Sequence, residues 1–414
     1  MCIWRGSGTS DGPGSWARGL RTPTRQQLPG SRGLTDLPRH GSSRSRSVAD
    51  HLCGHDNGHM HGLFAGLTTL DVAHGLDSVP DPLSKTTSTA HLLAAGGPAT
   101  NAAVTFSALC RVARGRGSGS GDEGDGSDGG DAANLLTAVG WGPLSDVVLA
   151  DLAEAGVDVL DATELPDGRP SAGADSRARG LEPALSSIVE HPEGRMVVST
   201  NARLALDVVG ARALLAEGLL DEGDPDVVLV DGHNPELAAL ALRVGTRDDG
   251  ASEDPFAELE EHPSHLRVLD GGSWKPWFTP LLGLVDVAVV SADFRPPVLT
   301  EADGDATAAF LRGFGITRVV RTDGANPVRW WWDGAEGEVP VVGVAEASTL
   351  GAGDVFHGAL AWALARLHAS GLAVPQDPTP QIAFAASVAT LSTRTFGTRA
   401  WRSDPGLTEL LEGI

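Results

Sequence analysis

Lysine is almost missing from this chain. Of 414 residues only Lys85 and Lys275 are lysine, and arginine carries the rest of the basic charge. A Walker-A phosphate loop needs a Gly-Lys pair, whereas these lysines follow Ser84 and Trp274, so that class of nucleotide site is excluded. Cysteine is scarce as well. Cys2, Cys53 and Cys110 cannot frame a disulfide scaffold and suit a reducing compartment, which makes the cytoplasm the expected location. Positive charge is in deficit: Lys+Arg 31 against Asp+Glu 54 leaves a net charge of −23. A field of that sign argues against nucleic acid or an anionic membrane as partner. No apolar run approaches the roughly 18–20 residues of a membrane-spanning helix. The best, Leu281 to Val290, is broken by Asp286. What the chain does have is 41% hydrophobic residues, enough for a large core, and 53 glycines.

Residues 1–59 are rich in Gly, Ser, Pro and Arg and hold neither a helical nor a strand period. Too little apolar surface is available there to offset ordering entropy, so a disordered extension is expected. Met60 stands directly before the first strand-like run, so an over-long start is the companion reading. His51, Cys53, His55, His59 and His61 supply soft metal ligands in a short span. With no fold to set their geometry, they are read as a compositional tract rather than a site.

From residue 60 to 405 short apolar runs alternate with Ala/Leu-rich stretches of helical spacing, as in Pro235–Val244 and Ala306–Phe314. The strands expected are Leu63–Thr69, Asn134–Val139, Asp226–Val230, Leu266–Leu269, Val285–Val290 and Thr317–Val320. This pattern predicts a doubly wound α/β domain: a mostly parallel sheet with helices on both faces. Right-handed crossovers then gather the carboxyl ends of the strands on one ligand-binding edge. Leu185–Glu190 and Arg195–Thr200 flank His191-Pro192-Glu193-Gly194 and read as a hairpin. Segments near 74–93 and 184–200 are therefore expected to form a small β lid. Residues 115–131 are a flexible acidic insertion, and 406–414 a C-terminal tail.

Two motifs carry chemistry. Thr349-Leu350-Gly351-Ala352-Gly353-Asp354 precedes a long apolar helix, Val355 to Leu367. Small residues there let backbone N–H groups converge on an anion at the positive end of the helix, with the Asp354 carboxylate alongside. Gly96-Gly97-Pro98-Ala99-Thr100-Asn101 opens a second helix, Ala102 to Val112. Its glycines permit close backbone approach, and Asn101 offers a donor and an acceptor to a polyol.

These elements and their order resemble the ribokinase/PfkB family of carbohydrate kinases, in a ketohexokinase-like variant. The early signature is Ala95 to Ala103, the late one Thr349 to Asp354, and the likeness extends over most of residues 60–405. Gly66 to Asp71, Ala155-Gly156-Val157-Asp158 and Ser186-Ser187-Ile188-Val189 fall in family order as well. The resemblance implies ATP-dependent phosphorylation of a hydroxyl on a small sugar, with Mg²⁺ accompanying the nucleotide. It implies Asp354 as general base, Gly351, Ala352 and Gly353 as the anion hole, and Asp71, Gly97 and Asn101 as sugar contacts. Thr322 and Gly324, in Arg321-Thr322-Asp323-Gly324, match the family's nucleotide-binding turn. A homodimer through the lid is implied too. Lys275, in Asp270-Gly271-Gly272-Ser273-Trp274-Lys275 at the end of a strand, is expected to reach a nucleotide phosphate.

The chain departs from the family pattern at three places. Ser348 replaces the aspartate that usually opens the late signature, which bears on monovalent-cation activation. Ser291-Ala292-Asp293-Phe294 stands for the usual Asn-x-x-Glu, leaving Asp293 as the carboxylate near the expected Mg²⁺, and no residue is assigned as a direct metal ligand. Pro98 takes the place of a polar sugar contact. Trp330-Trp331-Trp332 reads as a strand edge or an oligomer contact. Asp231-Gly232-His233-Asn234-Pro235 reads as a strand end and helix start on the ligand edge. The alternatives are a nucleoside kinase of the same fold and a sugar- or nucleotide-sensing protein without turnover.

Overall fold

Short β-branched runs and Ala/Leu-rich helices build two sheets of unequal size. The computed structural model describes residues 59–412, apart from 82, 118–131, 165–180, 201–202, 247–264, 301–302 and 345–347. The expected extension at 1–59, with most of its His/Cys tract, and most of the 115–131 insertion lie outside the described residues. The strands are β1 (His61–Ala65), β2 (Thr69–Gly75), β3 (Ala90–Gly96), β4 (Ala132–Thr137), β5 (Asp158–Asp161), β6 (Ala184–His191) and β7 (Gly194–Ser199). They continue with β8 (Val227–Val230), β9 (Leu266–Gly271), β10 (Val287–Ser291), β11 (Arg318–Thr322), β12 (Val328–Trp332) and β13 (Ala335–Val339). The helices are α1 (Pro98–Gly117), α2 (Pro143–Glu154), α3 (Val208–Glu222), α4 (Pro235–Ala241) and α5 (Thr279–Leu282). After them come α6 (Gly304–Arg312), α7 (Ala352–Ala369), α8 (Thr379–Ser392) and α9 (Gly406–Glu412).

The large sheet runs β13-β12-β11-β10-β9-β8-β1-β4-β5. It is parallel from β11 to β5, with β12 and β13 added antiparallel at one end. Its strands are covered on both faces, because successive side chains point to opposite sides of a pleated strand. Phe64 and Leu135 thus meet α1, α7 and α8 residues such as Leu109, Leu360 and Ile382. Leu63 and Leu136 face the other layer with Leu237 and Leu311. The order reverses direction at β1, which lies between β4 and β8, and such a switch point opens a crevice beyond the carboxyl ends of the strands.

The small sheet, β3-β2-β6-β7, is the expected lid. Asp71 and Ser186 are directly paired between β2 and β6 and share one face. At the free edge every residue of β7 is exposed, Met196 at 57% and Val198 at 60% among them.

Three expectations need correction. The run Leu63–Thr69 is not one strand: β1 stops at Ala65 and β2 starts at Thr69 in the other sheet. At the break the Asp231 carboxylate lies where a Gly66 side chain would stand and accepts the Leu67 N–H. Trp330, Trp331 and Trp332 are neither an edge nor a surface contact. All three are buried on the two faces of β12, and the indole N–H of Trp332 donates to the Pro375 carbonyl at 2.9 Å. The final segment is no loose tail: α9 packs Leu407 and Leu411 into the core.

Candidate active site

The turn before α1 is shaped by steric necessity. Gly97 has φ of 106°, and a Cβ there would strike the Leu67 carbonyl. A Cβ at Gly96 would fall on the Asp71 carboxylate. Gly97 is therefore demanded by close backbone approach, and Gly96 by the carboxylate seated over it, rather than by turn preference alone. Asp71, on β2 of the lid, is buried and accepts from the Thr69 hydroxyl at 2.6 Å. Burial raises its pKa, against the pull of Thr69, Ser186 and Arg399.

Asn101 stands in the first turn of α1 and is 5% exposed. Its Nδ2 donates to Asp354 Oδ2 at 2.8 Å, and its Oδ1 accepts from Arg399 at 3.1 Å. The amide orientation is thus set from behind. Arg399 also donates to the Ala95 carbonyl at 2.6 Å and to Asp151 Oδ2 at 2.8 Å, while Asp151 accepts the Ala95 N–H at 2.9 Å. This buried guanidinium ties the end of β3, α1 and α2 together behind the carboxylate. No motif pointed to it, because its partners are scattered along the chain and only the fold assembles them.

Asp354 lies in the first turn of α7, beside the helix start formed by Gly351, Ala352 and Gly353. Gly351 caps the helix with φ of 75°, and a Cβ there would press on the Thr398 methyl. At Gly353 a Cβ would meet nothing within 4 Å, so packing does not require glycine. Its smallness leaves open space over the positive end of a long helix, which is what an anion needs. Burial, then Asp270, push the Asp354 pKa up to about 6; Asp71 adds to this, while Asn101 and His357 pull it down.

Asp270 and His357 complete the buried group. His357 Nδ1 is 2.9 Å from Asp270 Oδ2, with both side chains at most 5% exposed. Among the described residues, Asp270, Asp354 and His357 are the one set of potential ligands whose atoms all lie within 4.8 Å of one another. That close approach makes the set read as an ion pair beside a carboxylate. Mg²⁺ prefers oxygen and keeps several waters when phosphates bind it. Asp293 is an exposed carboxylate just past β10.

The strand ends place the other expected residues. Asp231, 1% exposed, follows β8 and accepts N–H groups from Leu67 at 3.0 Å, Ala99 at 3.2 Å and His233 at 2.8 Å. Burial works against its charge, but His233 and these donors hold its pKa below the ordinary value. It is thereby a structural knot joining the β1–β2 turn to the start of α1. Lys275 lies beyond β9 with its Nζ over the Phe278 ring, 4.9 Å from the centroid. Burial lowers its pKa, against the attraction of Asp231 and Asp270. Thr322 ends β11 opposite Ser291 of β10, and Gly324 turns with φ of 55° just after it. Asp71, Gly97, Asn101 and Asp354 thus come together in one group. Among the described residues Thr322 and Gly324 share the same sheet edge without a contact to that group, and Lys275 is drawn toward it by Asp231 and Asp270.

The lid also touches the loop before α7. Glu190 of β6 accepts from the Ser348 hydroxyl at 2.6 Å and from the Thr349 N–H at 3.0 Å, while Arg195 of β7 donates to the Thr349 carbonyl at 3.3 Å. Ser348, where the family pattern has an aspartate, is here a donor to a lid carboxylate.

Solved structures share this architecture. Ribokinase from Giardia lamblia matches with a TM-score of 0.59 and 15% identity over 86% of this chain and 100% of that one. Fructokinase from Xylella fastidiosa, solved with bound ATP, gives 0.55 and 20% identity over 85% and 98%. Arabidopsis thaliana ribokinase, complexed with ribose and ATP, gives 0.51 and 15% identity over 86% and 98%. No protein-family model and no curated protein sequence matches the chain. The likeness establishes the ribokinase-like α/β fold.

Proposed function

We propose that the protein transfers the terminal phosphoryl group of ATP to a hydroxyl of a small sugar, with Asp354 as general base. One observation carries this reading. A carboxylate with a pKa raised to about 6 sits in the first turn of a glycine-started helix, oriented by an amide that is itself held by a buried guanidinium. ATP as donor draws support from the nucleotide-bound fructokinase and ribokinase of the same fold.

Phosphoryl transfer asks little covalent chemistry of a protein; it asks for in-line positioning and neutralisation of charge. Gly351, Ala352 and Gly353 offer N–H groups and the helix dipole to the transferring group. Asp354 takes the proton of the attacking hydroxyl, and Asp71 with the backbone at Gly97 orients the sugar. Lys275, Thr322 and Gly324 line the nucleotide side. Mg²⁺ bound to the nucleotide, with Asp293 as outer carboxylate, would supply further neutralisation. The lid, fastened to the loop before α7 through Glu190, keeps water from the reacting groups.

The test is ADP release by the full chain against a panel of sugars and nucleosides, with Asp354→Asn in parallel. A sugar is the expected acceptor, and the variant should lose roughly 10²–10⁴-fold in kcat while still binding ATP by calorimetry. Because the base must be ionised, kcat/KM should fall below about pH 6. Equal rates from the two proteins would remove Asp354 from the chemistry.

A further inference from the structure

Resting on that assignment of the base, we infer that His357 is a positioning residue for Asp354: a buried imidazolium, paired with Asp270, that offsets the Asp270 charge and keeps the base anionic. Asp354 and His357 are three residues apart on α7 and so share one helix face. Asp270 reaches the same point from β9, its Oδ2 2.9 Å from His357 Nδ1. The main chain of Val289 on β10 faces the ring and favours its charged form.

Electrostatics requires such a pair. Two carboxylates within 4.8 Å, both largely shut off from water, cannot both remain ionised unless a cation stands with them. Burial disfavours a charged His357, yet Asp270 and Asp354 outweigh it and raise its pKa. The imidazolium offsets the charge that Asp270 would otherwise turn on the base. Other elements face the group as well. Asp71 from β2 adds negative potential at Asp354. Asn101 from α1 donates to Asp354 with Arg399 behind it, and Lys275, after β9, faces Asp270. His357 differs from these in lying 2.9 Å from Asp270 while sharing a helix face with Asp354. Removing the imidazolium therefore exposes Asp354 to an uncompensated neighbour, whereas removing the Asp270 charge relieves it.

The two single variants are thus expected to act in opposite directions, which a purely structural role would not produce. In kcat/KM profiles of the full chain, His357→Gln should move the acid limb up by about one pH unit and Asp270→Asn should move it down by a similar amount. The double variant should return it near its original place. Carboxyl-carbon NMR titration of Asp354, identified by its loss in Asp354→Asn, should show the same displacements without turnover. Limbs that stay put while kcat falls would overturn the inference, and so would NMR of the unmodified protein finding the His357 ring neutral at pH 7. That second measurement needs no variant and holds even if the variants fold poorly. Failure of the underlying assignment looks different: Asp354→Asn would keep its turnover, whatever the limbs do.

Discussion

Single residues at this site are constrained by what lies within van der Waals reach of them. Gly96 and Gly97 read in the sequence as a turn, but each is required by a particular collision, with the Asp71 carboxylate and the Leu67 carbonyl. Gly96→Ala forces the Asp71 carboxylate to move. Overpacking of this kind costs about 1–3 kcal/mol where nothing yields. The expected outcome is a rise of at least about tenfold in the KM for sugar, with ATP affinity from calorimetry unchanged. A sugar KM that stays put would mean that Asp71 contributes little to the acceptor site. The glycines were legible because a crowded backbone restricts residue type locally, and Asn101 and Asp354 because they fall within the two signatures that carry the family resemblance. Arg399 was not. Its worth lies in holding Asn101, Ala95 and Asp151 at once, and those partners are neighbours only in the folded chain.

At the scale of elements, the contact that matters most is between the hairpin β6–β7 and the loop entering α7. Glu190 bonds to Ser348 and Thr349, so lid position and helix-start geometry are linked by two hydrogen bonds to one carboxylate. Bonds to a charged group are worth about 1.5–3 kcal/mol net. Glu190→Ala is expected to lower kcat/KM about tenfold or more and to speed amide exchange across β6 and β7, read by mass spectrometry. The acid limb set by Asp354 should not shift. The hairpin itself was visible from its Pro/Gly turn, and most sheet strands from their continuous apolar runs. The boundary between β1 and β2 was not, because Leu63–Thr69 is apolar enough for one strand and the carboxylate seated at the break, Asp231, lies far along the chain.

For the molecule as a whole, the edge of the sheet opposite the site governs behaviour in acid. His265 is 2% exposed, and neither ring nitrogen has a hydrogen-bond partner among the described residues. Burial, with Arg267 and His368 nearby, lowers its pKa from 6.5 to about 4. As pH falls below 6.5 the unfolded chain takes up a proton that the folded chain refuses until about pH 4. Folding stability should therefore drop across that window, by on the order of 3 kcal/mol from this group. Urea midpoints measured from pH 7 to 4 check this, because His265→Leu should flatten the decline. Parallel curves for the two proteins would refute the account. Fold class was readable at this scale from alternation alone, whereas the buried pair Asp270–His357 and the half-buried contact Glu190–Ser348 have no spacing that announces them.

Asn101 and Asp354, 253 residues apart in the chain, touch through a single hydrogen bond at the heart of the site. Neither half of the protein holds a working centre by itself. A gene cut between the two motifs would yield two inert fragments, and turnover regained on mixing them would be a direct readout of reassembly.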